Sequence, residues 1–131
     1  MAALDTNVVV RLMVGDDAAQ ARIAEKLLAA EPCSVSTSVL MECEWVLRGA
    51  YGLDASMIEA SFRDFLALHH MSSTDPVLTQ RTLDAYAAGL DFADALHAVQ
   101  CADAERLVTF DKIFVKRAAK AGLRAVSLLK T

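Results

Sequence analysis

The chain has 131 residues, 55% of them hydrophobic, and a formal net charge of −4. This length is typical of a domain that buries a core without disulfides, so we expect a single domain over residues 1–131. No run without a charged side chain exceeds ten residues, and no basic leader precedes the first apolar stretch. These features exclude a membrane-spanning protein and predict a cytoplasmic one.

Charge is divided unevenly along the chain. Residues 1–105 carry six Lys and Arg against sixteen Asp and Glu, whereas residues 106–131 carry seven against Asp111 alone. The acidic bulk is not typical of a general nucleic-acid binder. A basic C-terminal segment beside an acidic cluster can still hold a phosphate chain, although an ordinary solvent-exposed helix explains the same composition.

The first elements are predicted from apolar runs and helix-end signals. A short buried strand at residues 2–5 precedes a helix over 8–14 that ends at Gly15. Asp17 then caps a second helix, which Pro32 stops. The apolar face of that second helix comprises Ile23, Leu27 and Ala30.

The middle of the chain repeats the alternation of strand and helix. A strand at 33–36 leads into a helix that Thr37 or Ser38 caps and that runs through Arg48. An amphipathic helix over 54–69 and a brief strand at 70–72 follow. The side chains expected in the core of this part are Met41, Trp45, Leu47, Ile58, Phe62, Phe65 and Leu66.

In the second half of the chain, helix starts and ends are marked by proline, aspartate and glycine. Pro76 stands at the first position of a helix that Gly89 follows, and Asp91 opens another helix that runs to about Glu105. A strand at 106–110, a helix at 111–122 and a last strand at 124–129 complete the chain. Strands separated by helices predict a parallel sheet, in which ligands bind beyond the carboxyl ends of the strands.

The three cysteines, Cys33, Cys43 and Cys101, lie far apart in apolar surroundings. Such spacing matches neither a zinc site nor a disulfide framework. We therefore expect reduced, buried thiols, which are typical of cytoplasmic proteins.

Two acids, Asp5 and Asp111, fall at the carboxyl ends of predicted strands, and each taken alone is explained as a helix cap. Glu42 is harder to explain in this way. The residues three before it, three after it and four after it are Val39, Trp45 and Val46, which predicts a carboxylate along an apolar stripe. The alternative for Glu42 is a surface position at the edge of this stripe, which is the position predicted for Glu44.

Asp94 follows Asp91 by three residues, as in a charged first helical turn. Ala98 and Cys101 lie on the same helix face as Asp94, so we expect one acid to cap the helix and the other to point inward. If Asp5, Glu42, Asp94 and Asp111 converge, they raise each other's pKa unless a cation is bound. Ligation by oxygen alone favours Mg²⁺ or Mn²⁺.

Four stretches of the chain resemble the acidic motifs of PIN-domain ribonucleases, in particular VapC-type toxins of bacterial and archaeal toxin–antitoxin pairs. They are LDTNVVVRL, SVLMECEWVLRGAYG, LDFADALHA and LVTFDKIF, which carry Asp5, Glu42, Asp94 and Asp111. The order and spacing match the family, all four acidic positions are filled, and the resemblance covers essentially the whole chain.

The resemblance implies a three-layer α/β/α PIN-like domain with a central parallel sheet of four to five strands. It implies a Mg²⁺- or Mn²⁺-dependent endoribonuclease that hydrolyses single-stranded or loop RNA and leaves a 5′-phosphate and a 3′-hydroxyl. The implied partners are RNA, a VapB-type antitoxin and a second copy in a homodimer or a higher toxin–antitoxin assembly.

The resemblance also assigns roles to residues of this chain. Asp5 and Asp94 are the expected direct metal ligands, whereas Glu42 and Asp111 are expected to act through metal-bound water or a second ion. Three further polar residues are expected to orient ligands, water or the scissile phosphate, namely Asn7, Thr109 and, in a lesser role, Asp91.

The basic segment is then expected to hold RNA. Lys112, Lys116 and Lys120 recur at helical spacing and share one face next to Asp111, so Lys112 and Lys116 are predicted to contact RNA phosphates. His97 lies one turn from Asp94 and is expected to pack or to support a ligand rather than bind metal.

Two other enzyme or signalling classes match the sequence less well. A haloacid-dehalogenase-like phosphatase needs a second Asp two positions after the first, where this chain has Asn7, and a receiver domain needs paired acids and a lysine that are not evident. The remaining alternative is a non-catalytic PIN-fold scaffold that binds RNA or a protein. Retention of the full acid set argues against it.

Overall fold

The structure is a computed structural model that describes residues 1–130. Within that range the chain forms seven helices and five strands, and all paired strands are parallel. The predicted α/β class with a parallel sheet is confirmed. The strands are hydrogen-bonded as one sheet of three and one sheet of two, and they fall in two compact units that meet in sequence between Pro76 and Val77.

Unit 1 alternates short strands with single helices or helix pairs. Its elements are β1 (Ala2–Ala3), α1 (Thr6–Val14), α2 (Ala18–Ala30), β2 (Cys33–Val35), α3 (Thr37–Gly49), α4 (Ala55–Leu66) and β3 (Met71–Ser73). The strand order is β1-β2-β3, with Ala2 opposite Cys33 and Cys33 opposite Met71. The carboxyl ends of all three strands therefore meet at one edge of the sheet.

Helix ends in unit 1 follow the polar and glycine signals of the sequence. Asp17 and Asp54 cap α2 and α4 by accepting from the backbone N–H of Gln20 at 3.0 Å and of Met57 at 2.9 Å. Ser36, rather than Thr37 or Ser38, caps α3. Gly15 ends α1 in the left-handed conformation, as predicted, with φ of 70°.

Helix α3 buries a face that matches the prediction only in part: Leu47 is buried as expected and Met41 is half-buried. Leu40, Cys43 and Leu47 are buried at helical spacing, and this row carries Glu44 inward, where it is 3% exposed and ion-paired to Arg48 at 3.0 Å. The prediction that Glu44 lies at the surface is therefore wrong. Trp45, which was expected in the core, is 69% exposed because it falls off this row.

The remaining core of unit 1 matches the amphipathic pattern of α4, with Ile58, Phe62 and Phe65 buried as predicted. Helix α2 does not follow its predicted face. The small residues Ala21 and Ala24 are buried there, whereas Ile23 is 70% exposed. Small side chains on the buried face let a helix approach its neighbour closely, which explains why alanine rather than isoleucine points inward.

Unit 2 contains a strand–helix–strand motif behind two helices. Its elements are α5 (Pro76–Ala87), which begins on the last residue of unit 1, α6 (Phe92–Gln100), β4 (Leu107–Thr109), α7 (Lys112–Lys120) and β5 (Val126–Leu128). The two strands pair in parallel, with Leu107 opposite Val126 and Thr109 opposite Leu128. The core cluster lies between α6, α7 and β5 and comprises Ala85, Leu90, Ala95, Ala98, Phe114, Ala118 and Val126.

Helix α6 ends at Gln100, not near Glu105 as predicted. Turns follow it, with Cys101 N–H bonded to His97 O and Ala104 N–H bonded to Cys101 O. Asp103 and Glu105 carry negative charge where the helix dipole is already negative, which disfavours further helical turns.

All three cysteines are free thiols; Cys33 and Cys43 are buried and Cys101 is half-buried. None of the helices described combines the length and the apolar character that crossing a bilayer requires.

Candidate active site

Asp5 lies just beyond the carboxyl end of β1 and caps α1. Its Oδ1 accepts from the backbone N–H of Thr6 at 2.7 Å. Its Oδ2 accepts no hydrogen bond from any described residue. The cap that the sequence suggested is therefore present and leaves one carboxylate oxygen for another partner.

Glu42 reaches the same pocket from α3. Because α3 starts directly after β2, and β2 pairs with β1, the second turn of α3 lies beside the start of α1. Glu42 is exposed, on the side of α3 away from Leu40 and Leu47, so its carboxylate is not buried in an apolar stripe and the alternative of a surface position is correct. The pocket of about 400 Å³ is lined by Asp5, Thr6, Asn7, Val10, Arg11, Glu42, Val46, Ala50 and Tyr51.

The negative charges of Asp5 and Glu42 act on the buried thiol of Cys43. Burial, followed by the negative charges of Glu42 and Asp5, raises the pKa of Cys43 to about 12. The Cys43 thiol also lies 3.9 Å from the backbone oxygen of Thr6, which ties α3 to α1. Cys43 is therefore an uncharged packing residue and not a nucleophile.

One polar atom in this pocket has no partner. Thr6 Oγ1 is buried and makes no hydrogen bond within residues 1–130. A buried hydroxyl left unpaired costs free energy, which a bound water or another ligand oxygen recovers. Thr6 was absent from the predicted site residues, and only its position beside Asp5 in the sequence pointed to it.

Arg11 and Tyr51 also line this pocket and were missed by the sequence reasoning. Arg11 lies four residues after Asn7 on α1, so helical periodicity does place both on one face. No periodicity in the sequence indicates Tyr51, because it follows the end of α3 and its place in the pocket depends on the tertiary fold. Both residues contact Asp16, which accepts from Tyr51 Oη at 2.6 Å and from Arg11 Nη1 at 3.0 Å.

The acids of unit 2 lie at the starts of α6 and α7. Asp91 occupies the N-cap position of α6 without a side-chain capping bond, and Asp94 follows, half-buried, in the first turn. Asp111 lies beyond β4 and caps α7 with Oδ1, which accepts from Ile113 N–H at 2.9 Å and Phe114 N–H at 3.0 Å. A pocket of about 280 Å³ is lined by Leu90, Asp91, Asp94, Asp111, Ile113, Phe114 and Arg117.

The carboxyl group of Asp94 is partly buried beside other negative charges. Burial, and then the negative charges of Asp91 and Asp111, raise its pKa above the usual aspartate value. His97 and Arg117 act in the opposite direction but do not cancel the effect. Like charges are thus gathered in one pocket without a sufficient counter-charge among the described residues.

The residues predicted to support the acids of unit 2 match the prediction to different degrees. Thr109 Oγ1 accepts from the backbone N–H of Asp111 at 3.1 Å, so it orients the turn that carries this acid. Lys112 and Lys116 are exposed on α7, as RNA contacts would require. His97 is exposed rather than packed, and Arg117, which the sequence did not indicate, lines the acidic pocket.

The donors in both pockets suit a hard divalent cation. They are carboxylate and hydroxyl oxygens, the ligands that Mg²⁺ and Mn²⁺ prefer, and a cation would relieve the repulsion around Asp94. Within residues 1–130, no three His, Cys, Asp or Glu side chains are grouped as a ready-made metal cage. Mg²⁺ does not need such a cage, because it commonly uses one or two carboxylates together with waters and substrate phosphates.

Comparison with known proteins identifies a family for this chain. The family model described as the PIN domain matches residues 2–120. Neither the curated proteins nor the solved structures give a significant match. Since one model spans nearly all of the chain, the protein belongs to the PIN-domain family.

Proposed function

We propose that this protein is a Mg²⁺- or Mn²⁺-dependent endoribonuclease and the toxin of a VapBC-type toxin–antitoxin pair. PIN domains are typically nucleases. The observation that carries the proposal is the pocket of Asp91, Asp94 and Asp111, where burial and like charge raise the pKa of Asp94. Carboxylates gathered in this way are typical of a site that binds a cation, which removes the repulsion between them.

In this proposal Asp5 and Asp94 hold the ion directly, and Glu42 and Asp111 act through bound water or a second ion. The ion lowers the pKa of a bound water and neutralises charge that develops on the scissile phosphate. Thr6 Oγ1, Asn7 and Thr109 orient ligands: Thr109 acts through the backbone of Asp111, and Thr6 offers its unpaired hydroxyl.

The substrate we propose is single-stranded or loop RNA, cut in the cytoplasm to a 5′-phosphate and a 3′-hydroxyl. Lys112 and Lys116 on α7 supply exposed positive charge for the phosphates. Phe110, between Thr109 and Asp111, is 67% exposed and offers a ring face on which an unpaired base can stack.

The partners we propose are a VapB-type antitoxin and a second copy of the chain. Large apolar side chains are exposed on both units, among them Ile23, Trp45 and Met57 on unit 1 and Val77 and Ile113 on unit 2. Apolar side chains of this size at a surface are typical of protein interfaces. The mass of the purified chain in solution tests the homodimer.

The nuclease activity is tested with purified full-length protein and total RNA, in Mg²⁺, Mn²⁺ or EDTA, followed by sequencing of new 5′-phosphate ends. We expect discrete cleavage sites with either metal and none with EDTA. Asp5→Asn and Asp94→Asn should abolish these ends. The matched controls Asp64→Asn and Asp103→Asn, which change exposed acids outside both pockets, should cut as the wild type does.

The same experiment separates the nuclease from a non-catalytic scaffold. A scaffold would bind RNA or a protein without producing metal-dependent 5′-phosphate ends, and Asp5→Asn would leave that binding unchanged. Absence of cleavage by the folded wild type in either metal would contradict the proposed function.

A further inference from the structure

Arg11 and Tyr51 share a pocket with Asp5 and Glu42 without neutralising these acids. In the part of the chain that the structure describes, Arg11 forms its ion pair with Asp16, at 3.0 Å, and has no ion pair to Asp5 or Glu42. An arginine placed beside carboxylates ordinarily pairs with them, because the charge-assisted bond is strong. Here another acid holds it, so both pocket carboxylates are left for other ligands.

The guanidinium of Arg11 is fixed at two of its nitrogens. Nε donates to Gln20 Oε1 at 2.8 Å and Nη1 donates to Asp16 Oδ1 at 3.0 Å. Asp16 is fixed in turn by Tyr51, whose hydroxyl donates to Oδ2 at 2.6 Å. That bond and the charge of Arg11 keep the pKa of Asp16 below its usual value, so Asp16 stays ionised.

Stability alone gives little reason for this network. The Arg11 and Asp16 side chains are 29% and 46% exposed, and ion pairs at such positions contribute little to folding. The bonds to Gln20 and Asp16 use Nε and Nη1, and Arg11 also interacts with the Tyr51 hydroxyl. A guanidinium carries five N–H donors, so these contacts leave donors for a ligand. A planar guanidinium held in one orientation is the side chain best suited to a phosphate group.

We propose that Arg11 binds a phosphate of the RNA substrate in the pocket of Asp5 and Glu42. Asp16, Gln20 and Tyr51 are then positioning residues that hold the guanidinium beside these carboxylates and keep it from pairing with them. The inference rests on the proposed ribonuclease function and adds a substrate contact at the acids of unit 1.

The first test is binding of the full chain to a fluorescein-labelled single-stranded RNA of mixed sequence, measured by anisotropy over a salt series. Ca²⁺ replaces Mg²⁺ so that the RNA is not cut. We expect Arg11→Ala to weaken binding roughly 10- to 100-fold, as for loss of a charged hydrogen bond. It should also lower the steepness of the salt dependence by about 0.7, the value for one phosphate contact on a single strand.

Arg63→Ala is the matched control. Arg63 also lies in unit 1, is 31% exposed and is ion-paired to Glu59 at 2.6 Å, but it lies outside the acidic pocket. This variant removes the same charge and should leave the RNA affinity and the salt dependence unchanged. Arg11→Lys keeps the charge but loses the fork, so it should restore the salt dependence and only part of the affinity.

The positioning role of Tyr51 is tested by a double-mutant cycle. Tyr51→Phe removes the hydroxyl that holds Asp16, and we expect it to weaken RNA binding in the wild type but not in Arg11→Ala. A merely structural hydroxyl would lower the melting temperature in both backgrounds and leave RNA binding unaffected.

The outcomes separate this inference from the function on which it rests. Equal affinities for Arg11→Ala and Arg63→Ala, in a wild type that cleaves total RNA, would overturn the inference alone. A lower melting temperature of Arg11→Ala with unchanged RNA affinity and salt dependence would also overturn it, as a structural brace only. A folded wild type that neither binds the probe nor cleaves total RNA would overturn both proposals.

Discussion

A carboxylate that follows a strand caps a helix with one oxygen and leaves the other for a ligand in this protein. Asp111 uses Oδ1 to accept two backbone N–H groups at the start of α7, while Oδ2 accepts no hydrogen bond within the described chain. Asp5 divides its oxygens in the same way at α1. Capping therefore does not compete with the proposed metal binding, because the cap uses only one oxygen of the carboxylate.

The two roles of Asp111 can be separated by substitution. Ser is as good a cap as Asp but has no carboxylate, so Asp111→Ser should keep the free energy of unfolding within a few tenths of a kcal/mol. Asp111→Ala should lose about 1 kcal/mol. We expect both variants to lose RNA cleavage. Denaturant unfolding and cleavage assays check this, and an active Asp111→Ser variant would show that the cap alone matters.

Asp94 should destabilise the metal-free protein near neutral pH. Its raised pKa means that the folded state holds the proton more tightly than the unfolded chain does, so stability falls as the pH rises through the folded-state pKa. In EDTA, Asp94→Asn should therefore melt at a higher temperature than the wild type near neutral pH. The difference should shrink as the pH falls toward the ordinary aspartate value.

Bound metal should reverse the order of these two melting temperatures. Added Mn²⁺ should raise the melting temperature of the wild type and have little effect on Asp94→Asn, because a ligand that binds only the folded state stabilises it. A metal-free Asp94→Asn variant that melts below the wild type near neutral pH would contradict the electrostatic account of this pocket.

Individual residues differ in how far the sequence predicted them. The four acids were found because two follow strands and all four lie in motifs, yet the surroundings of Glu42 and Glu44 were interchanged. Helical periodicity alone does not decide which of two adjacent apolar stripes faces the core; the partners of α3 decide it. Arg11 and Tyr51 were missed because their role depends on contacts across the chain.

The positions at which the helices begin decide where the candidate site residues lie. Helices α1, α3 and α7 each start two or three residues after the last residue of a parallel strand, which places their first turns at the carboxyl edge of a sheet. The order of the elements was predictable from alternation and helix-end signals. The division of strands into sheets of three and two was not, because it depends on non-local hydrogen bonds between very short strands.

Helix α7 is predicted to carry RNA phosphates on its exposed lysines. Replacing Lys112 and Lys116 together by Glu should lower the steepness of the salt dependence of RNA binding by at least about 1.4, or 0.7 for each phosphate that the helix no longer binds. The matched control reverses Arg22 and Lys26, an exposed pair at the same spacing on α2. Equal effects of the two double variants would mean that net charge, and not this helix, governs binding.

The two units carry opposite charge. Residues 1–76 have five Lys and Arg against eleven Asp and Glu, whereas residues 77–131 have eight against six. The positive charge of unit 2 comes from residues 106–131 alone, because residues 77–105 have one Lys or Arg against five Asp and Glu. The change of charge that the sequence shows therefore lies within unit 2 and not at the boundary between the units.

The central proposal is that Asp5 and Asp94 bind a divalent metal ion that the reaction needs. The most direct measurement is the Mn²⁺ dissociation constant of the wild type, Asp5→Asn, Asp94→Asn and the double variant. Each single variant should weaken Mn²⁺ binding at least about 10-fold, and the double variant should bind no more tightly than either. Unchanged Mn²⁺ affinity in either single variant would contradict the proposal.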